Sequence, residues 1–159
     1  MTKELRGTPT HIDAPAEQVW ALLTDFASFP RWNPFIRRAS GQLVRGQKIS
    51  VELRLYGKTL VPFKPKVTMV EPPRELRWFA QMGAPGVFDV ERFFILEPEA
   101  GGGCTFRQGE DCSGFLAGPM LASGLEKRIL HGYELLNQAL KRRAEAAQGS
   151  SSEFQTERN

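Results

Sequence analysis

The stretch LAGPMLASGLEKRILHGYELLNQALKRRAEAA, Leu116 to Ala147, decides the fold. It reads as one long helix, with Pro119 in the first turn, where a missing N–H costs little. Projected at roughly 100° per residue, Gly118, Leu121, Ala122, Leu125, Ile129, Gly132, Tyr133, Leu136, Ala139 and Leu140 share an apolar face. Glu126, Lys127, Glu134, Lys141, Arg142 and Glu145 fall mostly elsewhere. About 30 residues at roughly 1.5 Å rise span on the order of 45 Å, long for a helix in a small domain. The face must be buried, and the only large partner is the chain before it. A sheet curved around one helix leaves a hollow between them.

That preceding chain reads as strands. Leu5 to Ile12 forms the first. Asp13 is a capping candidate and Pro15 suits the first turn of a helix carrying Val19, Trp20, Leu22 and Leu23. A second short helix, roughly Phe26 to Arg31, is broken by Trp32-Asn33-Pro34-Phe35. Five or six strands follow: 36–40, 48–55, 59–70, 75–82, 87–97 and 104–112. Val51, Leu53 and Leu55 oppose Glu52 and Arg54, and Leu76, Trp78, Ala80 and Met82 oppose Arg77 and Gln81. Tyr56-Gly57-Lys58, Glu71-Pro72-Pro73-Arg74, Gly83-Ala84-Pro85-Gly86 and Gly101-Gly102-Gly103 supply turn chemistry. Pro62 and Pro65 place the 59–70 strand at an edge or give it an irregular start. Short turns between consecutive strands predict an antiparallel meander. The expected class is α+β: a curved antiparallel sheet of about six or seven strands around a long terminal helix, with two short helices after the first strand.

The 159 residues suit one domain, taken as 1–147, and the polar end 148–159 reads as a disordered tail. The 41% hydrophobic and 25% charged fractions are ordinary for a globular protein. No apolar run reaches bilayer length, and Met1 to Arg6 carries no signal-peptide hydrophobic region, so a cytoplasmic location is expected. The net charge of +3 is dispersed. Arg37-Arg38 and Lys141-Arg142-Arg143 are too short for a nucleic-acid surface. On one strand, Cys104 and Cys112 would lie about 27 Å apart, far beyond the about 7 Å of a disulfide. They read as reduced thiols. No metal-ligand spacing, phosphate loop or cofactor motif is present, and His11 and His131 have no nucleophile partner at suggestive spacing.

The order of these elements is that of the helix-grip fold. The run Ile12-Asp13-Ala14-Pro15-Ala16-Glu17-Gln18-Val19-Trp20, followed by Phe29-Pro30-Arg31-Trp32-Asn33-Pro34-Phe35, resembles the N-terminal signature of the SRPBCC superfamily. That superfamily includes START lipid-transfer domains, plant pathogenesis-related proteins and polyketide cyclase/dehydrase-like proteins. The stretch from Phe93 to Glu97-Pro98, then Gly102-Gly103, Phe106, Gln108, Glu110, Ser113-Gly114 and Asn137-Ala139-Leu140-Lys141, is similar to the bacterial cyclase/dehydrase-like branch. The resemblance covers roughly residues 5–147. Many relatives carry a histidine two residues before the phenylalanine that is Phe93 here; this chain has Glu91, so imidazole chemistry does not carry over.

The hairpin of strands 87–97 and 104–112 offers candidate chemistry. With the turn centred near Ala100-Gly101, Glu91 faces Glu110, Phe93 faces Gln108 and Ile95 faces Phe106. Phe93, Ile95 and Phe106 mark that side as inner, so Glu91 and Glu110 lie together in the hollow or at its rim. One pKa of such a pair rises, giving an acid beside a base that can protonate or enolise a carbonyl. A register one residue different turns both outward, to the side of Arg92 and Arg107. Arg54 or Arg128 would otherwise neutralise them. Trp32, Phe35, Trp78, Met82, Phe88, Phe93, Phe106, Phe115, Leu121, Leu125 and Tyr133 are pocket-lining candidates, with core packing the alternative for each. Trp20 packs the first helix on the sheet, and Asn33 serves local backbone.

Three functions are consistent with this reading. The first is binding of a small hydrophobic ligand, aromatic, polyketide-like or lipid-like, between sheet and terminal helix. The second is a cyclase or dehydratase using Glu91 and Glu110. The third is a ligand-free interaction or stress-associated module. Turnover, ligand identity and oligomeric state stay open. The half of the long helix before Leu125 carries small residues and reads as a lid, with the opening expected beside Phe115 to Leu125.

Overall fold

The computed structural model describes residues 2–156, with side chains to residue 149. Among these residues nine strands and three short α-helices precede a long one: β1 Lys3–Arg6, β2 Thr10–Ile12, α1 Ala16–Thr24, α2 Phe29–Trp32, β3 Ile36–Ser40, β4 Ser50–Tyr56, β5 Thr59–Phe63, β6 Lys66–Glu71, β7 Glu75–Met82, β8 Phe88–Pro98, β9 Cys104–Ser113, α3 Ala117–Met120 and α4 Glu126–Thr156. All pairings are antiparallel. One sheet runs β1-β9-β8-β7-β6, with β2 also on β9, and a smaller one runs β3-β4-β5. Backbone bonds from Gly46 N to Val67 O, Val67 N to Gln47 O and Ile49 N to Pro65 O knit the two together. The result is a curved α+β helix-grip fold.

Two expected strands are split. The first breaks at Gly7-Thr8-Pro9, where Pro9 has no N–H to give and α4 reaches in: Glu134 accepts from the Thr8 N–H at 3.0 Å and Asn137 Nδ2 donates to the Thr8 carbonyl at 3.2 Å. The 59–70 strand breaks at Lys64-Pro65 into β5, an edge of the small sheet, and β6, an edge of the large one. α1 starts after Pro15 without a side-chain cap. Asp13 does not cap it; its backbone N–H instead donates to Glu145 at 2.9 Å.

The terminal helix is not one rod. A wide turn over Leu121–Leu125 separates α3 from α4, and Gly124 inside it has φ 107°, a conformation that only glycine adopts cheaply. At the other end α4 continues to Thr156, so the backbone is helical through a stretch expected to be structureless. The stretch 148–156 holds no proline, and the helix that starts on the sheet runs on through it despite Gly149. The helix lies across the concave face of the sheet. Tyr133, Leu136, Leu140 and Ala144 face inward with Trp78, Phe94, Leu96 and Phe106, all 2% exposed or less.

Candidate functional site

The β8–β9 hairpin sets the site. Its loop is Glu99–Gly103, five residues, with Pro98 opposite Cys104. Glu99 N bonds Gly103 O at 2.9 Å, and Gly102 takes φ 96°. Thr105 and His11 hydrogen-bond the Glu99 carboxyl and hold its pKa below the usual carboxylate range. An odd loop shifts the register by one residue from the expected one. Arg92, not Glu91, faces Glu110.

The expected carboxylate pair therefore does not form. Glu91 lies opposite Asp111 on the convex side, 3.7 Å from Arg77. Phe93 is on that side too. Its ring lies over Gly109, flanked by the guanidiniums of Arg6 at 4.8 Å and Arg77 at 5.1 Å. A Cβ at Gly109 would come within 2.8 Å of the Phe93 ring, so the glycine makes room for it.

The concave side carries a buried polar chain. Arg92 Nη1 donates to Glu110 at 2.8 Å and Arg92 Nη2 to Gln108 Oε1 at 2.7 Å. Gln108 Nε2 donates to Asn137 Oδ1 at 2.7 Å and to the Tyr133 carbonyl at 3.1 Å. The Arg92 guanidinium sits between the rings of Phe94 (4.7 Å), Tyr133 (4.8 Å) and Phe35 (5.4 Å). Two buried atoms of this group have no hydrogen-bond partner: Arg92 Nε and the Tyr133 hydroxyl, which lies beside Glu110 without a well-formed bond to it. Burial, then the Glu110 charge, pushes the Tyr133 pKa well above the usual phenol range, with Arg92 opposing.

Arg92 and Glu110 form the polar end of a small, partly open cavity of about 60 Å³. Its remaining wall is apolar: Leu53, Leu55 and Phe63 from β4 and β5, Trp78, Ala80 and Met82 from β7, Phe88 and Val90 from β8, and Leu125 and Ile129 from the helix. One end can receive a hydrogen-bonding group, and the rest offers an apolar surface.

A family model described as polyketide cyclase / dehydrase and lipid transport matches residues 7–145. The chain belongs to that family. No curated protein matches the sequence significantly. Solved structures sharing the fold include a START superfamily protein from Mycobacterium smegmatis, 21% identical with TM-score 0.63 over 92% of this chain and 97% of that one. The Zhui aromatase/cyclase from Streptomyces sp. R1128 is 14% identical, with TM-score 0.67 over 92% and 98%. A norcoclaurine synthase from Thalictrum flavum is 12% identical, with TM-score 0.68 over 93% and 97%.

In this member of the polyketide cyclase / dehydrase and lipid transport family, the sequence candidates Trp78, Met82, Phe88, Leu125 and Glu110 lie in the wall of this cavity. Other candidates lie away from its wall. Trp32 is half-buried, its Nε1 donating to Ser28 at 3.0 Å. Phe35 packs edge-on to Tyr133, and Phe106 stacks on Phe94 in the core. Leu121 is buried at the start of the wide turn. Phe115 is 74% exposed, so it lines nothing. Leu53, Leu55, Phe63, Ala80, Val90, Arg92 and Ile129 also line it and are not among the sequence candidates. Val90 and Ala80 are recoverable from strand alternation with Phe88 and Trp78; Arg92 shares that alternation but reads as a surface charge.

Asn33 does serve local backbone, its Oδ1 accepting from Phe35 N and Ile36 N at 3.1 and 2.8 Å. Both cysteines are free and buried at opposite ends of β9. Burial pushes their thiols up to about 11 for Cys104 and about 12 for Cys112. Among the described residues no group of three or more His, Cys, Asp or Glu side chains is placed to hold a metal ion. No helix of these residues is long and apolar enough to cross a membrane.

Proposed function

We propose that this protein binds a small, mostly apolar molecule with one polar group, held between the sheet and α4. The polar group meets Arg92 and Glu110, and the apolar body meets Trp78, Val90 and Ile129. The carrying observation is the buried Arg92–Glu110 pair in the wall of a cavity whose other lining is apolar.

At about 60 Å³ the cavity admits only a few heavy atoms. A larger ligand requires the segment from Phe115 to Leu125 to swing outward. Positive-φ glycines bracket it, Gly114 at 108° and Gly124 at 107°, and Phe115, Leu116 and Met120 lie exposed along it. The two-carboxylate mechanism is not part of this reading, because Glu91 faces away.

The test fills the cavity. Native mass spectrometry of protein purified from its host should show a bound small molecule. Ala80→Leu, which adds bulk to the wall, should weaken its retention by about tenfold or more, while the melting temperature stays unchanged or rises. Equal retention by a well-folded Ala80→Leu protein would overturn the assignment.

A further inference from the structure

A second recess lies outside the core, between the end of β4 and the first turns of α4. It is a groove of about 340 Å³, within the size range of small-molecule sites. Arg54, Lys127, Arg128 and His131 stand around it, and Leu55 and Leu135 give it an apolar floor. Lys127, His131 and Leu135 follow at four-residue spacing and so form one ridge of α4. Arg54 comes from the strand opposite.

No carboxylate lines this groove. Elsewhere among the described residues most ion pairs bind their cations tightly, and Glu126, the acid next in sequence, is taken by Lys3 at 2.7 Å. Arg54, Lys127, Arg128 and His131 enter none of those pairs. Arg128 is nonetheless held in place, donating to the Leu55 carbonyl at 3.2 Å and lying 4.6 Å over the Tyr56 ring. Cations gathered around a concavity repel one another and focus a positive potential into it, and an anion there removes that cost. The floor narrows the choice. Leu135 is 42% exposed, an apolar surface that a bare inorganic ion would leave in water.

We propose that this groove binds a small amphipathic anion, a phosphate or carboxylate carried on a short apolar body. Arg54 and Arg128 present planar guanidinium forks to the anionic oxygens. Lys127 adds charge, and His131 offers an N–H in either protonation state. The apolar body covers Leu55 and Leu135. Leu55 also backs the interior cavity, but the two recesses share no polar group, and the groove does not depend on what fills the interior.

The test titrates the intact protein at low salt with octyl phosphate, octanoate, inorganic phosphate and 1-octanol, by calorimetry and amide chemical shifts. Octyl phosphate or octanoate should bind at least about tenfold tighter than inorganic phosphate or 1-octanol. The tighter of the two identifies the head group. Shifts should centre on Leu55, His131 and Leu135, and added salt should weaken binding. Arg54→Gln combined with Lys127→Gln should lose about tenfold in affinity with an unchanged melting temperature, whereas Ala80→Leu should bind as the wild type. Equal binding of 1-octanol and octyl phosphate, wild-type affinity in the double variant, or loss of binding in Ala80→Leu would each overturn the proposal. The last would assign the signal to the interior.

Discussion

Arg92 is 1% exposed and Glu110 5%, so both charges have left water. Their attraction offsets that desolvation only while both are present. Removing one partner of a buried pair typically costs about 3–5 kcal/mol, whereas replacing both with apolar groups of similar size is often neutral or stabilising. We therefore expect Glu110→Leu alone to be severely destabilising, and Arg92→Met with Glu110→Leu to recover most of that loss. The double variant should at the same time lose the ligand, which separates recognition from stability. Chemical denaturation of the three proteins, with native mass spectrometry of the double variant, checks both halves. Glu110 is legible in the sequence because Cys104, Phe106, Gln108 and Cys112 alternate cleanly with Thr105, Arg107 and Asp111. Its partner is not. Phe93-Phe94-Ile95-Leu96 is apolar without interruption, so β8 gives no sign of which face is inner. The register then hung on whether the loop held an odd or even number of residues.

At the scale of one helix, α4 carries a glycine that a propensity argument would replace. Gly132→Ala would gain up to about 1 kcal/mol of intrinsic helix stability. A Cβ there would sit 2.3 Å from the Phe35 ring, itself 1% exposed and wedged against Tyr133. The variant should accordingly lose about 1–3 kcal/mol through overpacking, read as a lower melting temperature. Phe35→Leu in the same chain should return part of it. The meander and the closing helix were readable because alternation, turn residues and helical spacing agree along those segments. The breaks at Pro9 and Pro65 and the wide turn at Gly124 were harder. Each depends on what another element does at that point, as when Asn137 and Glu134 claim the Thr8 backbone.

Across the whole molecule, polar contacts at one end clasp the N-terminal segment to the last helix. Glu145 accepts from Lys141 Nζ at 2.7 Å and from Asp13 N at 2.9 Å, and these bonds hold its pKa below the usual carboxylate value. The folded state thus binds this proton less readily than the unfolded chain. The clasp contributes fully above the ordinary glutamate pKa, and its contribution fades as pH falls through the lowered folded value. Being about a third exposed and screened by solvent, it is worth no more than about 1 kcal/mol. Glu145→Gln should melt a few degrees below wild type at neutral pH, and the gap should close in acid. The pairing of β1 with β9 sets a timetable as well as a shape. Lys3 lies opposite Cys112 and Ile12 opposite Cys104, so β1 and β2 wait for β9, roughly 90 to 110 residues later, before they gain partners. During translation β1 and β2 emerge without a partner edge, and the large sheet closes only after the hairpin of β8 and β9 is free. Chain order thus makes completion of this sheet a late, long-range event.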